Sequence, residues 1–156
     1  MGVAMTLKEY LDGRQVAYEV IPHAATPSAA RAAEAARVPG DQVAKSVLLG
    51  DEHSYVLAVI PASYRLEVGR LNQVTARNLE FIDEDEIEAA FSDCERGAIP
   101  PLGQAYGIET ILESDLVKQD AIYFESGDHK HLIKMDGRVF RELMEDVPRF
   151  HVSHHL

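Results

Sequence analysis

A chain of 156 residues, 46% hydrophobic and 26% charged, holds enough apolar side chains for one core and too few residues to expect a second. Fifteen Lys plus Arg against 26 Asp plus Glu give a formal net charge of −11, which argues against tracking long stretches of nucleic-acid phosphate, because such affinity comes from clustered cations that displace counterions. No apolar run approaches the ~20 residues of a membrane span, and the single cysteine, Cys94, excludes an internal disulfide and fits a reducing cytoplasm.

The expectation is therefore one domain over residues 1–156, soluble and cytoplasmic, with neither membrane nor DNA as a partner. The opening "MGVAMTLKEYLDG" has no basic start followed by an apolar stretch, so no secretory signal is expected. "QVAYEVIPH" (15–23) alternates and is rich in β-branched residues, which predicts a strand ending near Pro22. "TPSAARAAEAARVPG" supplies a cap at Thr26, proline at the first helical position, an alanine-rich body and a Pro39-Gly40 stop. "QVAKSVLLG" and "SYVLAVIPA" are apolar runs joined by polar "DEHS" and predict a buried strand pair around a turn. "RLEVGRLNQVTA" predicts a helix, "NLEFI" a short strand, and "DEDEIEAAFSDCE" a solvated acidic helix whose first-turn acids suit the helix dipole. After a proline loop come strands at "IETILES", "AIYFES" and "HLIKM", with a turn at "GDHK", and a last helix in "GRVFRELMEDV" stopped by Pro148. The terminal "FHVSHHL" reads as a frayed, histidine-rich tail. Runs of consecutive strands argue against a strictly alternating doubly wound sheet and for a mixed α+β fold with a curved sheet flanked by helices.

Four features bear on chemistry. Lys45 interrupts the apolar strand "VAKSVLL", where it faces either bulk solvent or the rim of a pocket. By alternation it shares a face with Val43, Val47 and Leu49, all core candidates. The loop "CERGAIPPLGQAYG" is stiff: Pro100 and Pro101 fix φ and remove N–H donors, while Gly97 and Gly103 permit angles and approaches denied to other residues. It is either a connection or a wall of oriented main-chain groups able to polarise an acyl carbonyl. Cys94 lies between Asp93 and Glu95, which disfavour a thiolate, so it is a poor nucleophile. His129 and His131 alternate onto one face of the strand after the turn but make a weak metal pair. No phosphate-binding glycine loop, nucleophile elbow or zinc-protease helix is present.

Taken together, "VAKSVLL", "YVLAVIPASYRLEV", "DCERGAIPPLG" and "IYFESGDHKHLIKM" resemble the YbaK/ProX family, freestanding relatives of the editing domain inserted in bacterial prolyl-tRNA synthetases. The resemblance runs from "YEVIPH" to the last helix. It implies a barrel-like mixed sheet with outer helices and an aminoacyl-tRNA deacylase, which hydrolyses a small wrong amino acid (Ala, Cys, Ser or Thr) from proline tRNA or a similar tRNA. It implies the acceptor end of aminoacyl-tRNA as partner, with a synthetase as a further one, and requires no cofactor and no metal. Carried over by residue, Lys45 falls on the family's functional lysine, and Gly97, Ala98, Ile99, Pro100 and Pro101 fit its G-x-x-x-P loop. Gly127 matches the glycine of a strand turn lining the same pocket, flanked by Ser126 and His129, and His23 lies where members carry a histidine after the first strand. The cysteine-editing type has a serine where Glu125 aligns here, with Ser126 one residue on. The rival reading is a non-catalytic module that binds the tRNA acceptor end or a synthetase, and a lesser one is a hydrolase of free acyl esters.

Overall fold

The structure, a computed structural model, describes residues 3–24 and 29–156. A helix, α1 (Met5–Gly13), opens the chain, followed by β1 (Glu19–Pro22) and the alanine-rich α2 (Ala29–Ala36). The cap expected at Thr26 and the proline after it lie outside the described residues. A hairpin of β2 (Val43–Gly50) and β3 (Tyr55–Pro61) comes next, then β4 (Tyr64–Leu66), α3 (Val68–Thr75), β5 (Glu80–Phe81) and α4 (Glu84–Ala90). Beyond the proline loop run β6 (Glu109–Glu113), β7 (Ala121–Glu125), β8 (His131–Asp136), α5 (Gly137–Leu143), β9 (Arg149–Phe150) and β10 (Ser153–His155).

An eight-stranded mixed sheet has the order β1-β8-β7-β2-β3-β6-β9, with β5 as an extra partner of β2, and β10 pairs with β4 in a second small sheet. The α+β class and curved mixed sheet expected from the sequence are what forms. The β2–β3 turn is fixed by Asp51, whose carboxylate accepts from the His53 and Ser54 amides at 2.8 and 3.1 Å and takes Arg77 at 2.8 and 2.7 Å. That guanidinium holds the Asp51 carboxyl far below its ordinary range.

The apolar character of β2 and β3 follows from burial on both faces. On one face Leu7 and Leu11 of α1 and Phe140 of α5 pack with Ala44, Leu48, Leu57, Leu112, Phe124 and Ile133. On the other, Leu71 of α3 joins Leu49, Val56, Ala58, Ile60 and Val152, while Ala32 and Ala33 of α2 cover Val43, Tyr123 and Leu132.

Several expectations are corrected. The opening "MTLKEYLDG", from which only the absence of a signal was read, is a helix; its buried Leu7 and Leu11 stand four apart on one face. The first strand is confined to four residues, and the last helix ends at Leu143, five residues before Pro148. The tail is not frayed: β9 runs parallel to β6, β10 pairs with β4, and the Leu156 amide donates to the Ser63 carbonyl at 3.0 Å. The buried Glu113 carboxylate anchors it, accepting from the Val152 amide, the Ser153 amide and the Ser153 hydroxyl at 2.9, 3.0 and 2.7 Å.

Candidate functional site

Among the described residues, strand β2 has a partner along its whole length on one side only. There it pairs antiparallel with β3 from Ala44–Pro61 to Gly50–Tyr55. On its other side β7 runs parallel with Val43 and Ala44 alone, and β5 reaches only Leu49 and Gly50. Residues 45–48 thus border a gap between two neighbouring strands. The Ala62 amide donates to the Val43 carbonyl at 2.7 Å, so the odd-numbered residues of β2 direct their main-chain groups to β3. The antiparallel alternation then turns the N–H and C=O of Ser46 toward the gap.

A cavity of about 450 Å³ occupies this place, lined by residues 44–48 of β2, Phe81 and Ile82, Glu84 and Ile87 of α4, Gly97, Ile99, Glu125 and Ala29. Its size lies in the range of small-molecule sites. Lys45 lies on the face predicted for it, since Val43 and Leu49 belong to the apolar clusters under α2 and α3. It is exposed yet lines the cavity, and its side chain forms no hydrogen bond or ion pair with any described residue. The two sequence alternatives for Lys45 meet here: it is exposed and also lines a pocket.

The proline loop is tied down at several points. The Glu95 amide donates to the Gly127 carbonyl at 2.7 Å, a ring nitrogen of His129 meets the Arg96 carbonyl, and Arg96 pairs with Glu88 and Asp85 of α4 at 2.9 and 3.0 Å. Gly97 has φ +82°, a left-handed conformation that suits glycine. Gly103 answers the other need of the loop, close approach: a Cβ there would stand 2.8 Å from the Ile108 carbonyl oxygen. Behind it, Asp93 accepts from the Thr6 amide at 2.7 Å and the Tyr106 hydroxyl at 2.8 Å. Burial pushes the Cys94 thiol up to about 12, so it stays protonated and inert.

Of the predicted residues, Lys45, Gly97 and Ile99 line the cavity. Ala98, Pro100 and Pro101 are buried behind the loop surface. The His23 Nδ1–H donates to the Ala24 carbonyl, 2.7 Å away, and its main-chain amide donates to the Lys130 carbonyl. Ser126 is buried, with its hydroxyl 3.2 Å from Asp128. His129 has φ +63°, so the turn, not strand alternation, sets its direction and separates it from His131, which pairs with Asp128 at 2.6 Å. Gly127 is not a cavity wall but the pivot of that turn, with φ +116°. A Cβ on it would meet the Ala4 Cβ at 2.9 Å. Gly127→Ala is expected to cost about 3 kcal/mol from strain and overpacking, whereas Gly107→Ala, at φ +70° with nothing within 4 Å, costs about 1 kcal/mol. Urea unfolding of the two variants checks the difference.

Sequence reasoning missed Ser46, and it noted Glu125 only as the residue that stands where the cysteine-editing type has serine. The Ser46 hydroxyl is buried without a partner, and so are both carboxylate oxygens of Glu125. Glu125 is 3% exposed, and burial, with the nearby Asp128 carboxylate adding to it, raises its carboxyl from 4.5 to about 7. The signal was in the sequence: a glutamate ending an apolar strand, where the family's cysteine-editing type has serine. Among the described residues one group, Glu113, Asp115 and His151, offers three ligand atoms close enough for a metal. None of the three lines the cavity, and the tail amides already occupy Glu113.

The profile of the aminoacyl-tRNA editing domain family matches residues 23–143. None of the curated proteins matches the sequence. Among solved structures, a candidate trans-editing enzyme for prolyl tRNA synthetase superposes with a TM-score of 0.82 at 19% identity, covering 97% of this chain and 96% of that one. A chain from work on epitope backbone grafting onto scaffold proteins gives 0.82 at 20% identity, covering 98% and 97%. A candidate signal transduction protein from Marinobacter aquaeolei VT8 gives 0.75 at 17% identity, where 94% of this chain matches 30% of that one. At such identities the likeness is one of fold.

Proposed function

The chain belongs to the aminoacyl-tRNA editing domain family, and from that premise we propose that it is a freestanding deacylase that hydrolyses a small, wrongly attached amino acid from tRNA, proline tRNA or a similar one. The observation that carries this reading is the gap beside β2, where a lysine and a main-chain edge at Ser46, both without a partner among the described residues, and the glycine of a stiff loop line one cavity.

An aminoacyl ester is already activated, so its hydrolysis needs a positioned water and a stabilised oxyanion rather than a protein nucleophile. This suits a site whose nearest thiol, Cys94, is protonated. Water adds to the ester carbonyl, the C–O bond to the ribose breaks, and the ribose oxygen leaves with a proton. The main-chain N–H groups at Ser46 and Gly97 are the donors for the oxyanion, and Lys45 holds the ester or the terminal phosphate. The exposed ring of Phe81, at the cavity mouth, offers a stacking surface for the terminal base. Contacts confined to the acceptor end are compatible with a net charge of −11, since few phosphates are touched. The candidate trans-editing enzyme of the same fold supports the choice of proline tRNA.

Selection is steric: a pocket rejects a larger side chain more firmly than it prefers a smaller one, and one methylene changes rates roughly 10- to 200-fold. The test is a panel of prolyl-, alanyl-, seryl-, threonyl- and cysteinyl-tRNA. Hydrolysis of at least one small aminoacyl group in that range above prolyl is expected; stable esters throughout, with binding retained, would identify a non-catalytic module.

A further inference from the structure

The family assignment leaves unexplained why an apolar strand ends in a carboxylate with no partner. Strand β7 places Tyr123, Glu125 and, across from it on β8, Leu132 on the face covered by α2. The parallel register of β2 and β7 sets Val43 by Tyr123 and Ala44 by Phe124. Continued, it would set Lys45 beside Glu125 on the same face, but the ladder stops there and the strands part around the cavity. Among the described residues the two side chains form no ion pair, and both oxygens of Glu125 lack any donor.

The contrast with Glu113 is instructive. That carboxylate is equally buried but takes three donors on one oxygen and the Asp115 amide on the other, as buried carboxylates normally do. Glu125 carries the same desolvation cost without compensation, a condition that ligand sites create and structural sites avoid. The missing partner must bring several N–H donors on a small group that enters the cavity. No donor of a described residue reaches either oxygen. Asp128 and Glu84 add negative charge around the site, so the partner is a cation.

Resting on the proposed editing reading, we propose that Glu125 is the receptor for the α-ammonium group of the esterified amino acid, making the site selective for aminoacyl over other acyl groups. The ammonium docks on the Glu125 carboxylate while the ester carbonyl lies toward Ser46 and Gly97 and the ribose end toward Lys45. The assignment gives each unpartnered polar group of the cavity one part of the same ligand. It also separates recognition of the amine, by charge, from recognition of the side chain, by size.

The test uses two non-hydrolysable amides of 3′-amino-3′-deoxyadenosine, one carrying L-alanyl and the other L-lactyl, which replaces the amine by a hydroxyl at nearly constant shape. Calorimetric titration of the wild-type protein is expected to show the alanyl compound binding roughly 10- to 100-fold more tightly, the range of a charge-assisted hydrogen-bonded pair. Glu125→Gln should abolish that preference and leave lactyl binding unchanged; Glu125→Asp, which keeps the charge, should retain part of it. Equal weakening of both compounds in Glu125→Gln, the result of a role in holding Lys45 or a water, overturns the proposal, as does a preference that survives the substitution. Failure of both compounds to bind the wild type instead overturns the editing reading on which it rests.

Discussion

Replacing Lys45 with alanine is expected to slow deacylation of a mischarged tRNA by roughly 10²- to 10³-fold, the loss seen when one preorganised electrostatic contact is removed from an acyl-transfer site. Stability should change by less than about 0.5 kcal/mol, because the side chain is exposed and bonds to no described residue. The main chain of Lys45 pairs with Ile60 in the hairpin, and alanine preserves that pairing. Lys45→Arg should recover only part of the rate, since a positive charge remains but the planar guanidinium differs in shape from a compact ammonium. Single-turnover hydrolysis alongside urea unfolding separates the two quantities. A folded alanine variant with full rate would remove Lys45 from the reaction.

The second large effect is on stability. Glu125 titrates near 7 in the folded protein against 4.5 when unfolded, so between those values the native state keeps a proton that the unfolded chain has released. Its contribution is at its most favourable below pH 4.5, falls as pH rises, and levels off above pH 7. The difference of about 2.5 pK units corresponds to about 3 kcal/mol. Net repulsion in so acidic a chain also grows with pH, but it is shared by the Glu125→Gln variant. The wild type should therefore lose about 3 kcal/mol relative to that variant between pH 4.5 and 8, measured by urea unfolding at each pH. Parallel stability curves would show that the buried carboxylate is solvated.

Much of this was legible in the chain. Alternation placed Lys45 on the face of Val43 and Leu49, the glycines and prolines marked residues 94–107 as a stiff loop, and the consecutive strands announced a mixed sheet. The gap itself was not legible, because it depends on where β7 and β5 stop pairing with β2, a matter of register between segments far apart in sequence. The two- and three-residue strands of the tail carry no local signal either; they form because β6 and β4 offer edges. Alternation misjudged His129 because the turn at Gly127 resets the chain direction. Glu125 was legible only as a departure from the family's serine; its lack of donors is revealed by the packed structure.

The most direct measurement of the central claim is amide chemical-shift mapping with the non-hydrolysable alanyl analogue. The largest shifts are predicted at Ser46, Gly97 and the neighbouring amides of β2, with the Asp51–Arg77 turn unmoved. Shifts concentrated at that turn or along β9 and β10, with the Ser46 amide silent, would contradict a ligand seated against the open edge of the strand.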